Sequence, residues 1–374
     1  MSNPSSYQPI SLLETLSKCL ENIVTSRLLF NVGSLSWVPY SQFGSHNNSS
    51  CTDAGLSMIH NIHSSWQNSR KVSLLTLDIK GYFNNISHPL LLYILSRLGF
   101  SSPIVNWLCS FFSDRTVQIW IDSFLSDPSP IALVGVPQGS PLSPILSALY
   151  SLPLLLHMEQ VCNVEIKGYV DDSMILAHSE SFETNRDVIK SAVHTAWEIL
   201  RRLGLSFEIE KCDLIHFAAR PADMHTSLRV DLSPPGTYGR WVSPQPCIWW
   251  LGFYLDRRLS WKTHIKKRCS QALAVVASLG LLANSVWGIS IKHGRLLFKT
   301  CVLPVLTYGS VSWYTGIKQK SLIKPMERVQ NQGIRWLLGA FRTSPISAVE
   351  HMASILPLPL TLQRLSKNAA VRLR

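Results

Sequence analysis

The feature that most limits what this chain can fold into is a predicted β-hairpin with two acidic residues, Asp171 and Asp172, at its tip. Before the acids, residues 164–169 alternate apolar with polar side chains, and after them residues 174–177 form an apolar run. Both patterns are typical of paired strands that are joined by a short turn. Two neighbouring acids in a turn are usually only part of a solvated loop, so a function for them needs further support.

A third acid, Asp78, directly follows the compact apolar run 72–77, which predicts a buried strand. Ser87 and Pro89 then mark the start of a helix that ends at Gly99. Alone, an acid after a strand is most often a turn residue or a helix cap. Carboxylates on adjacent strands, however, can hold two Mg²⁺ ions about 3.5–4 Å apart for an in-line phosphoryl transfer. The three acids together therefore predict a metal-dependent site for phosphoryl transfer.

The rest of the pattern indicates strands mixed with crossing helices. A glycine-rich turn at 135–140 follows a strand-like run at 131–136 and precedes a long apolar helix. A second helix, over 184–203, precedes two further strand-like runs, 205–209 and 212–217. Helical patterns dominate the C-terminal part of the chain. This mixture predicts an α+β fold.

The basic residues are concentrated in the C-terminal part. Residues 246–374 carry 19 Lys and Arg against three acids, whereas residues 1–245 carry 16 basic and 20 acidic residues. This division suits an enzyme that holds metal-binding acids beside a polyanionic substrate, although a solvated basic surface would explain it equally well. The eight cysteines form no CxxC pair, and the longest apolar stretches are interrupted by proline or polar residues. We therefore expect neither a zinc site nor a membrane span.

Several segments resemble the ordered motifs of reverse transcriptases. The tetrapeptide Tyr169-Val170-Asp171-Asp172 matches the YxDD box of that family. The segments that resemble its other motifs are, in chain order, TLDIKGYFNNISHPLL, GVPQGSPLSPIL, LSFEIEKCDLIHF and WWLGFYLD. Flanking segments such as YQPISLLETLSKCL and KHGRLLFKTCVLPVLTYGS resemble those of non-LTR (LINE-like) retrotransposons, particularly fungal ones. The resemblance extends over nearly the whole chain and implies an RNA-directed DNA polymerase.

The resemblance implies a role for each matching residue. Asp78, Asp171 and Asp172 would bind two Mg²⁺ ions, and Lys211 would assist catalysis near the departing pyrophosphate. The other implied roles are nucleotide binding by Phe83, Gln138, Gly139 and Tyr169, a primer grip at Trp250, Leu251, Gly252 and Phe253, and nucleic-acid binding by Lys262, Lys266, Lys267 and Arg268. Alternatives remain open for the lesser members: a surface lysine at 211, core packing for the aromatic residues, and a solvated helix for the basic stretch.

The resemblance also implies the right-hand architecture of polymerases. The expected divisions are partial fingers over 1–70, a palm over 71–245, a thumb over 246–320 and a helical tail over 321–374. The expected partners are an RNA template, a DNA primer and deoxynucleoside triphosphates. We expect no membrane contact and a nuclear location, and the oligomeric state is left open.

The chain departs from the family pattern at several positions. Gln8 lies where the family has an arginine that contacts the nucleotide triphosphate, and a neutral amide cannot replace that charge. The tripeptide at 44–46 and the tetrapeptide at 81–84 differ from the usual GFR and GAFD. Family members extend further in both directions, so we expect a chain truncated at both ends. Two functions remain open, an active polymerase and an impaired nucleic-acid-binding remnant, while Tyr169-Val170 before the acids disfavours an RNA-dependent RNA polymerase.

Overall fold

The chain packs as two compact units. The computed structural model describes residues 10–35, 39–45, 49–282, 288–316 and 319–372. The first unit contains Met1–Ala54 and His60–Gln245, and the second contains Gly55–Ile59 and Pro246–Arg374. The predicted division into fingers, palm, thumb and tail is a functional assignment that this packing does not test, so it stays a prediction.

Helices and strands alternate along the first unit, and helices dominate the second. The strands are β1 (Lys71–Leu77), β2 (Thr116–Val117), β3 (Trp120–Ile121), β4 (Phe124–Leu125), β5 (Ser129–Pro130), β6 (Val164–Tyr169), β7 (Asp172–Ser179), β8 (Leu214–Phe217), β9 (Val230–Asp231), β10 (Trp241–Val242), β11 (Cys247–Trp250) and β12 (Phe253–Asp256). The helices are α1 (Thr15–Leu35), α2 (Cys51–Gln67), α3 (His88–Arg97), α4 (Ser102–Phe112), α5 (Ser143–Met158), α6 (Phe182–Arg202), α7 (Lys262–Gly280), α8 (Ile291–Leu297), α9 (Leu303–Leu306), α10 (Ser310–Trp313), α11 (Lys320–Leu338), α12 (Ile346–Ala353) and α13 (Leu358–Arg372). No helix among these described residues is long and apolar enough to span a bilayer.

A four-stranded antiparallel sheet organises the first unit. Its strand order is β6-β7-β1-β8, so β1 is an inner strand that is paired on both sides. Every side chain from Val72 to Leu77 is buried, which means that both faces of β1 are covered. A strand covered on both faces is expected to be apolar along its length rather than alternating. The predicted strand at 72–77, the hairpin with acids at its tip and the α+β class are confirmed.

Helix α5 forms the centre of the core beneath this sheet. Twelve of its residues are buried, and Pro144 lies in its first turn, where a missing backbone N–H costs no helical hydrogen bond. The Tyr150 hydroxyl donates to the carbonyl oxygen of Leu203, just after α6. Helix α6 packs against β1 and β7 through apolar residues at helical spacing, including Ile189, Val193 and Ala196.

Two runs that predict strands form none. Residues 131–136 are extended but largely exposed, and their backbone instead supports the segment after Asp78: Val136 N donates to Phe83 O and Gly135 N to Ile86 O, both at 2.8 Å. Residues 205–209 make a single bridge, between Phe207 and Ile79. The prediction of strands here rested on apolar content alone. In the structure, both runs are instead held by backbone hydrogen bonds to a distant segment.

The second unit is built on one hairpin and a set of helices. Helix α7 packs against β12 and α11. The fully buried Phe253 ring lies at its centre, 5.5 Å from the Tyr308 ring and 6.0 Å from the His264 ring between centroids. A Cβ atom on Gly55 would overlap the Phe253 ring, so glycine is required there. Burial lowers the pKa of His264 to about 4, which keeps this histidine neutral in its structural position.

Candidate active site

The three predicted acids lie at one edge of the central sheet. Leu77, the last residue of β1, pairs with Ser173 of β7. Asp78 therefore follows β1 at the level where β7 begins with Asp172, and Asp171 lies in the turn just before it. The antiparallel register brings together acids that are far apart in the sequence.

The hairpin tip has a constrained backbone. Val170 has a φ of 62°, a left-handed conformation that β-branched residues rarely adopt. Gly44 lies so close to Val170 that a Cβ atom there would overlap its backbone. Phe43 N donates to Gly168 O, and Gly168 N donates to Ser41 O, both at 2.8 Å. The loop at 41–44 therefore holds the edge of β6 directly beside the acids.

Burial is the main cause of the raised pKa values of the three acids. Burial, followed by the negative charges of Asp171 and Asp78, raises the pKa of Asp172 to about 6. Burial also raises the pKa of Asp171 and, against the opposing charge of Lys211, that of Asp78. Asp171 is exposed to solvent, so the raised pKa of the half-buried Asp172 is the better measure of the burial and repulsion at this site. Carboxylates in this state gain free energy from any cation that reaches them.

Lys211 is the cation nearest to Asp78 among the ion pairs of the described residues. Its Nζ lies 3.7 Å from Asp78 Oδ2 and 2.8 Å from Glu208 Oε2. The hydrogen bond to Glu208, and then the charge of Asp78, raise the pKa of Lys211, so it stays protonated. Glu208 N also donates to Asp78 O at 2.9 Å, which fixes the backbone of the two acids relative to each other. The lysine side chain is 61% exposed and has room to move toward a ligand.

The donor atoms at this edge fit a divalent cation, but they are not yet gathered around one point. Mg²⁺ prefers carboxylate oxygens, and three carboxylates are present. Among the described residues, no three His, Cys, Asp or Glu side chains form a ready cluster of metal ligands. Metal binding would therefore require the acid side chains to turn toward each other, most simply at Asp171 in the exposed turn.

The segment after Asp78 divides its two aromatic residues between the core and the site. The Tyr82 hydroxyl is buried and donates to Ser147 O of α5 at 2.5 Å. Phe83 is only partly buried, and its ring meets the Tyr82 ring edge-on at 5.8 Å. The departure from the family pattern at 82 is thus accommodated inside the core. Phe83 keeps an exposed portion, as a nucleotide contact would need.

The glycine-rich turn predicted to approach the nucleotide has an unusual backbone. Gly139 has a φ of 118°, and a Cβ atom there would lie 2.7 Å from Ser11 O. Ser11 N donates to Gln138 O at 2.6 Å, so the chain before α1 packs directly on this turn. Tyr169 is half-buried and pairs with Asp172 across the hairpin. Gln8 lies outside the described residues.

The predicted primer grip forms the β11–β12 hairpin of the second unit. The side chains of Trp250, Leu251 and Phe253 are buried there. Leu251 and Gly252 form its turn with φ values of 44° and 82°, and the Tyr308 hydroxyl donates to Leu251 O at 2.6 Å. Trp250 and Phe253 therefore pack in the core, whereas the neighbouring Trp249 of the same hairpin is 54% exposed. Their functional role stays a prediction.

The predicted basic face lies on the first turns of α7. Lys262, Lys266 and Lys267 are exposed. Arg268 differs, because its guanidinium donates to Gly252 O and lies over the Tyr308 ring at 4.3 Å. Arg268 thus has structural partners within the second unit. Lys267 Nζ lies 6.0 Å from the centroid of the Tyr254 ring, while Lys262 and Lys266 are exposed on the helix.

Comparisons with known proteins place the chain in a family. Residues 2–255 match the family model described as "Reverse transcriptase (RNA-dependent DNA polymerase)". The matched segment includes the central sheet and all three acids. The chain therefore belongs to the reverse transcriptase family, as the motifs predicted.

The similar curated relatives are polymerases of non-LTR retrotransposons. The RNA-directed DNA polymerase from mobile element jockey of Drosophila melanogaster is 27% identical over 342 residues, which cover 90% of this chain and 36% of the relative. The probable RNA-directed DNA polymerase from transposon X-element of the same species is 26% identical, with the same coverages. A Pol polyprotein from type-1 retrotransposable element R1 of Bradysia coprophila is 23% identical and covers 97% of this chain and 35% of the relative. The chain spans about a third of the length of these relatives.

Telomerases are among the solved structures that are similar to the chain. Apo telomerase from Candida Tropicalis has a TM-score of 0.48 and 11% identity, and the match covers 88% of this chain and 51% of the telomerase chain. Telomerase from Candida albicans in complex with a fragment of telomeric RNA has a TM-score of 0.43 and 14% identity, with coverages of 89% and 53%.

Two parts of the site were missed by sequence reasoning. The loop at 41–44 supports the hairpin tip, and Glu208 orients Lys211, yet neither was a candidate. The sequence signal for the loop was the glycine in SQFG, because a glycine allows two backbone segments to approach closely. The signal for Glu208 was weaker, since an acid three residues before a lysine is common on any surface.

Proposed function

We propose that this chain is the catalytic core of an RNA-directed DNA polymerase, which adds deoxynucleotides to a primer 3′-hydroxyl along an RNA template. The observation that carries this proposal is the register of the central sheet, which brings Asp78 to the level of Asp172 within the segment that matches the family. The similar relatives are RNA-directed DNA polymerases of mobile elements, which supports the same function for this chain.

Asp78, Asp171 and Asp172 would hold two Mg²⁺ ions at the sheet edge. When bound, two such ions activate the attacking hydroxyl and stabilise the leaving oxygen of an in-line displacement. The three carboxylates supply the oxygen ligands and the negative charge that this requires. The antiparallel register of β1 and β7 fixes the backbone of Asp78 and Asp172, which keeps the geometry constant between turnovers.

Lys211 would neutralise charge on the departing pyrophosphate. Its hydrogen bond to Glu208 keeps it protonated and aims it at Asp78, while its exposure lets it turn toward a phosphate. An ammonium in a partly enclosed site stabilises a developing anion more strongly than the same group in water. This role makes Lys211 an aid to catalysis rather than a metal ligand.

The remaining proposed contacts orient the substrates. Phe83 would lie against the sugar of the incoming nucleotide, and the exposed backbone of Gly139, with Gln138 and Tyr169, would approach its base and the template. The turn of the β11–β12 hairpin would grip the primer through its backbone. The exposed lysines of α7 would pair with phosphates of the template–primer duplex.

Primer extension on poly(rA)/oligo(dT) with Mg²⁺ tests the polymerase directly. The protein should incorporate deoxythymidine, and Asp171→Asn should abolish incorporation without loss of folding. Asp127→Asn, at an exposed acid between β4 and β5, serves as the matched control and should leave extension unchanged. Equal extension by the Asp171→Asn and unmodified proteins would rule out the proposed site.

Charge reversal of the basic face tests the duplex contact. The variant reverses Lys262, Lys266 and Lys267 to Glu, and its control reverses the exposed Arg342, Arg364 and Lys367 of the same unit. The first variant should bind duplex more weakly, with a salt slope reduced by roughly 0.7–0.9 for each lost phosphate contact. If both variants lose the same affinity, only the net charge of the unit matters and the face has no special role.

An impaired polymerase is the second candidate function, and Gln8 favours it. Loss of a charged hydrogen bond to a triphosphate costs roughly 1.5–3 kcal/mol, or about ten- to hundred-fold in nucleotide use. On this view the chain binds template–primer but extends it weakly or not at all. Gln8→Arg should then raise extension and leave duplex affinity unchanged. Brisk extension by the unmodified chain would exclude the impaired form.

Partners and location follow from the same proposal. The partners would be an RNA template, a DNA primer and deoxynucleoside triphosphates. A polymerase that extends nicked chromosomal DNA would act in the nucleus. Imaging of a tagged chain would test this location, and exclusion from the nucleus would contradict it.

A further inference from the structure

A pocket of about 510 Å³ opens on the first unit between α6 and the β9–β10 ribbon. Its walls are formed by Arg186, Asp187, Lys190, Leu228, Arg229, Asp231 and Trp241. This volume is in the range of ligand sites that hold a group the size of a nucleotide. None of these residues has a place in the polymerase mechanism proposed above.

The pocket lies at the opposite end of the central sheet from the catalytic acids. Asn185 Nδ2 donates to Lys71 O at 3.0 Å, so the neighbouring Arg186 is at the start of β1. Asp78 follows the other end of this seven-residue strand. At about 3.3 Å per residue, the two ends are roughly 23 Å apart. The pocket is therefore a separate feature of the unit.

The pocket carries three cations on two elements. Arg186 and Lys190 are one turn apart on α6 and so lie on the same face of the helix. Arg229 directly precedes β9. Arg186 is paired with the exposed Asp187 at 2.9 Å, in a surface ion pair that an anionic ligand would exchange at little cost.

Two exposed aromatic side chains accompany these cations. Trp241 is 56% exposed although it lies in a paired strand, and Tyr238 is 80% exposed. Lys190 Nζ lies 5.5 Å from the centroid of the Tyr238 ring. Large aromatic faces left open beside cations are the arrangement on which nucleic-acid bases stack, because every base has a π-face.

Asp231 anchors the ribbon that carries Trp241. It is 2% exposed and pairs with Trp241 across the ribbon. Its Oδ1 accepts from Ser233 N at 3.1 Å and from Ser233 Oγ at 2.6 Å, and Gly239 N also donates to this carboxylate. These hydrogen bonds hold the strand from which the exposed Trp241 side chain projects.

We propose that this pocket binds single-stranded nucleic acid, with a base stacked on Trp241 and flanking phosphates paired with the three cations. The three cations favour an anionic ligand, and the open aromatic faces distinguish the site from a simple phosphate pocket. RNA and DNA strands share this chemistry. The proposal does not depend on the polymerase activity, since it uses no catalytic residue.

Binding of a labelled single-stranded oligonucleotide tests the proposal. Fluorescence anisotropy is measured on the full chain with excess unlabelled template–primer duplex, which competes for any duplex site. RNA and DNA oligonucleotides of one sequence are compared. Trp241→Ala should weaken binding about five- to hundred-fold, as expected for one lost stacking contact. Lys190→Glu should weaken binding and reduce its salt dependence.

Matched variants separate the pocket from general effects. Trp120→Ala removes another exposed tryptophan of the same unit, and Arg202→Glu makes the same charge change at the far end of α6. Neither should change binding. Zero-length photocrosslinking of thiouridine-labelled RNA to the unmodified chain should label the peptide that contains Tyr238 and Trp241, which does not depend on the folding of any variant.

The outcomes divide cleanly. Tighter binding of RNA would assign the pocket to the template strand, tighter binding of DNA would assign it to the target strand, and either result keeps the proposal. If the pocket variants bind like their controls and the crosslinks fall elsewhere, the proposal is overturned. Binding of an acidic peptide at these residues, with no binding of the oligonucleotide, would also overturn the proposal.

Discussion

Replacing Asp172 with asparagine should stabilise the metal-free protein at neutral pH. The asparagine has nearly the same shape but carries no charge. It therefore removes the cost of burying a charge and the repulsion from Asp171 and Asp78, which together raise the pKa of Asp172 to about 6. A rise of about two units from the ordinary value corresponds to at most roughly 3 kcal/mol. Solvent at the half-open tip screens part of this repulsion, so we expect the free energy of unfolding to rise by about 1–2 kcal/mol.

The sign of the pH dependence follows from the raised pKa. Below about pH 4 the carboxyl group is protonated in both the folded and the unfolded chain, and the two proteins should be equally stable. As the pH rises from about 4 to about 6, the unfolded chain releases its proton first, so the unmodified protein loses stability relative to the variant. Above about pH 6 the difference should be constant.

Thermal unfolding in EDTA at about pH 4 and about pH 7.5 measures this difference, with an expected gain of roughly 2–8 °C for the variant at the higher pH only. Mg²⁺ added at the higher pH should stabilise the unmodified protein more than the variant, because ion binding needs the charged carboxylate. Asp187→Asn is the control, since the side-chain hydrogen bond from Arg186 lowers the pKa of Asp187 and its removal should give no gain. An equal gain at both pH values, or no gain at all, would refute this account of the site's charge.

Three further substitutions test the framework. Gly55→Ala should destabilise the second unit by about 1–3 kcal/mol, because the added methyl group overlaps the Phe253 ring. An unchanged midpoint of urea unfolding would contradict this. Tyr82→Phe should cost about 1–2 kcal/mol, since the carbonyl oxygen of Ser147 loses a buried hydrogen bond, and calorimetry would detect the loss. Lys211→Met should slow single-turnover primer extension more than it weakens nucleotide binding, whereas a change in binding alone would make Lys211 an ordinary surface contact.

The catalytic edge could be predicted from the sequence because it is encoded locally. The run 72–77 is apolar along its whole length, and the hairpin alternates, so strand, turn and acids each have a short-range signal. The motif order then linked Asp78 to the hairpin. Adjacent strands of one sheet were the simplest way to bring these acids together, and the observed register agrees.

The supports of that edge could not be predicted, because they depend on contacts between distant segments. The loop at 41–44 bonds to Gly168, and the run 131–136 bonds to the segment near Phe83. Both contacts use backbone groups, so the only trace in the sequence is a glycine such as Gly44. The packing of the buried Phe253 ring against Gly55, almost two hundred residues earlier, is a further contact of this kind. Composition does not encode such pairings.

The left-handed backbone of Val170 makes the hairpin tip an unusual target for protein engineering. A β-branched residue in this conformation costs of order 1–3 kcal/mol, and glycine would relieve that cost. The same exchange would free the backbone between Tyr169 and Asp171 and remove the side chain that rests against Gly44. A search for heat-resistant variants would therefore favour glycine at 170, while a search for fast or accurate copying would discard it. Selection for durability and selection for activity should diverge at this one residue.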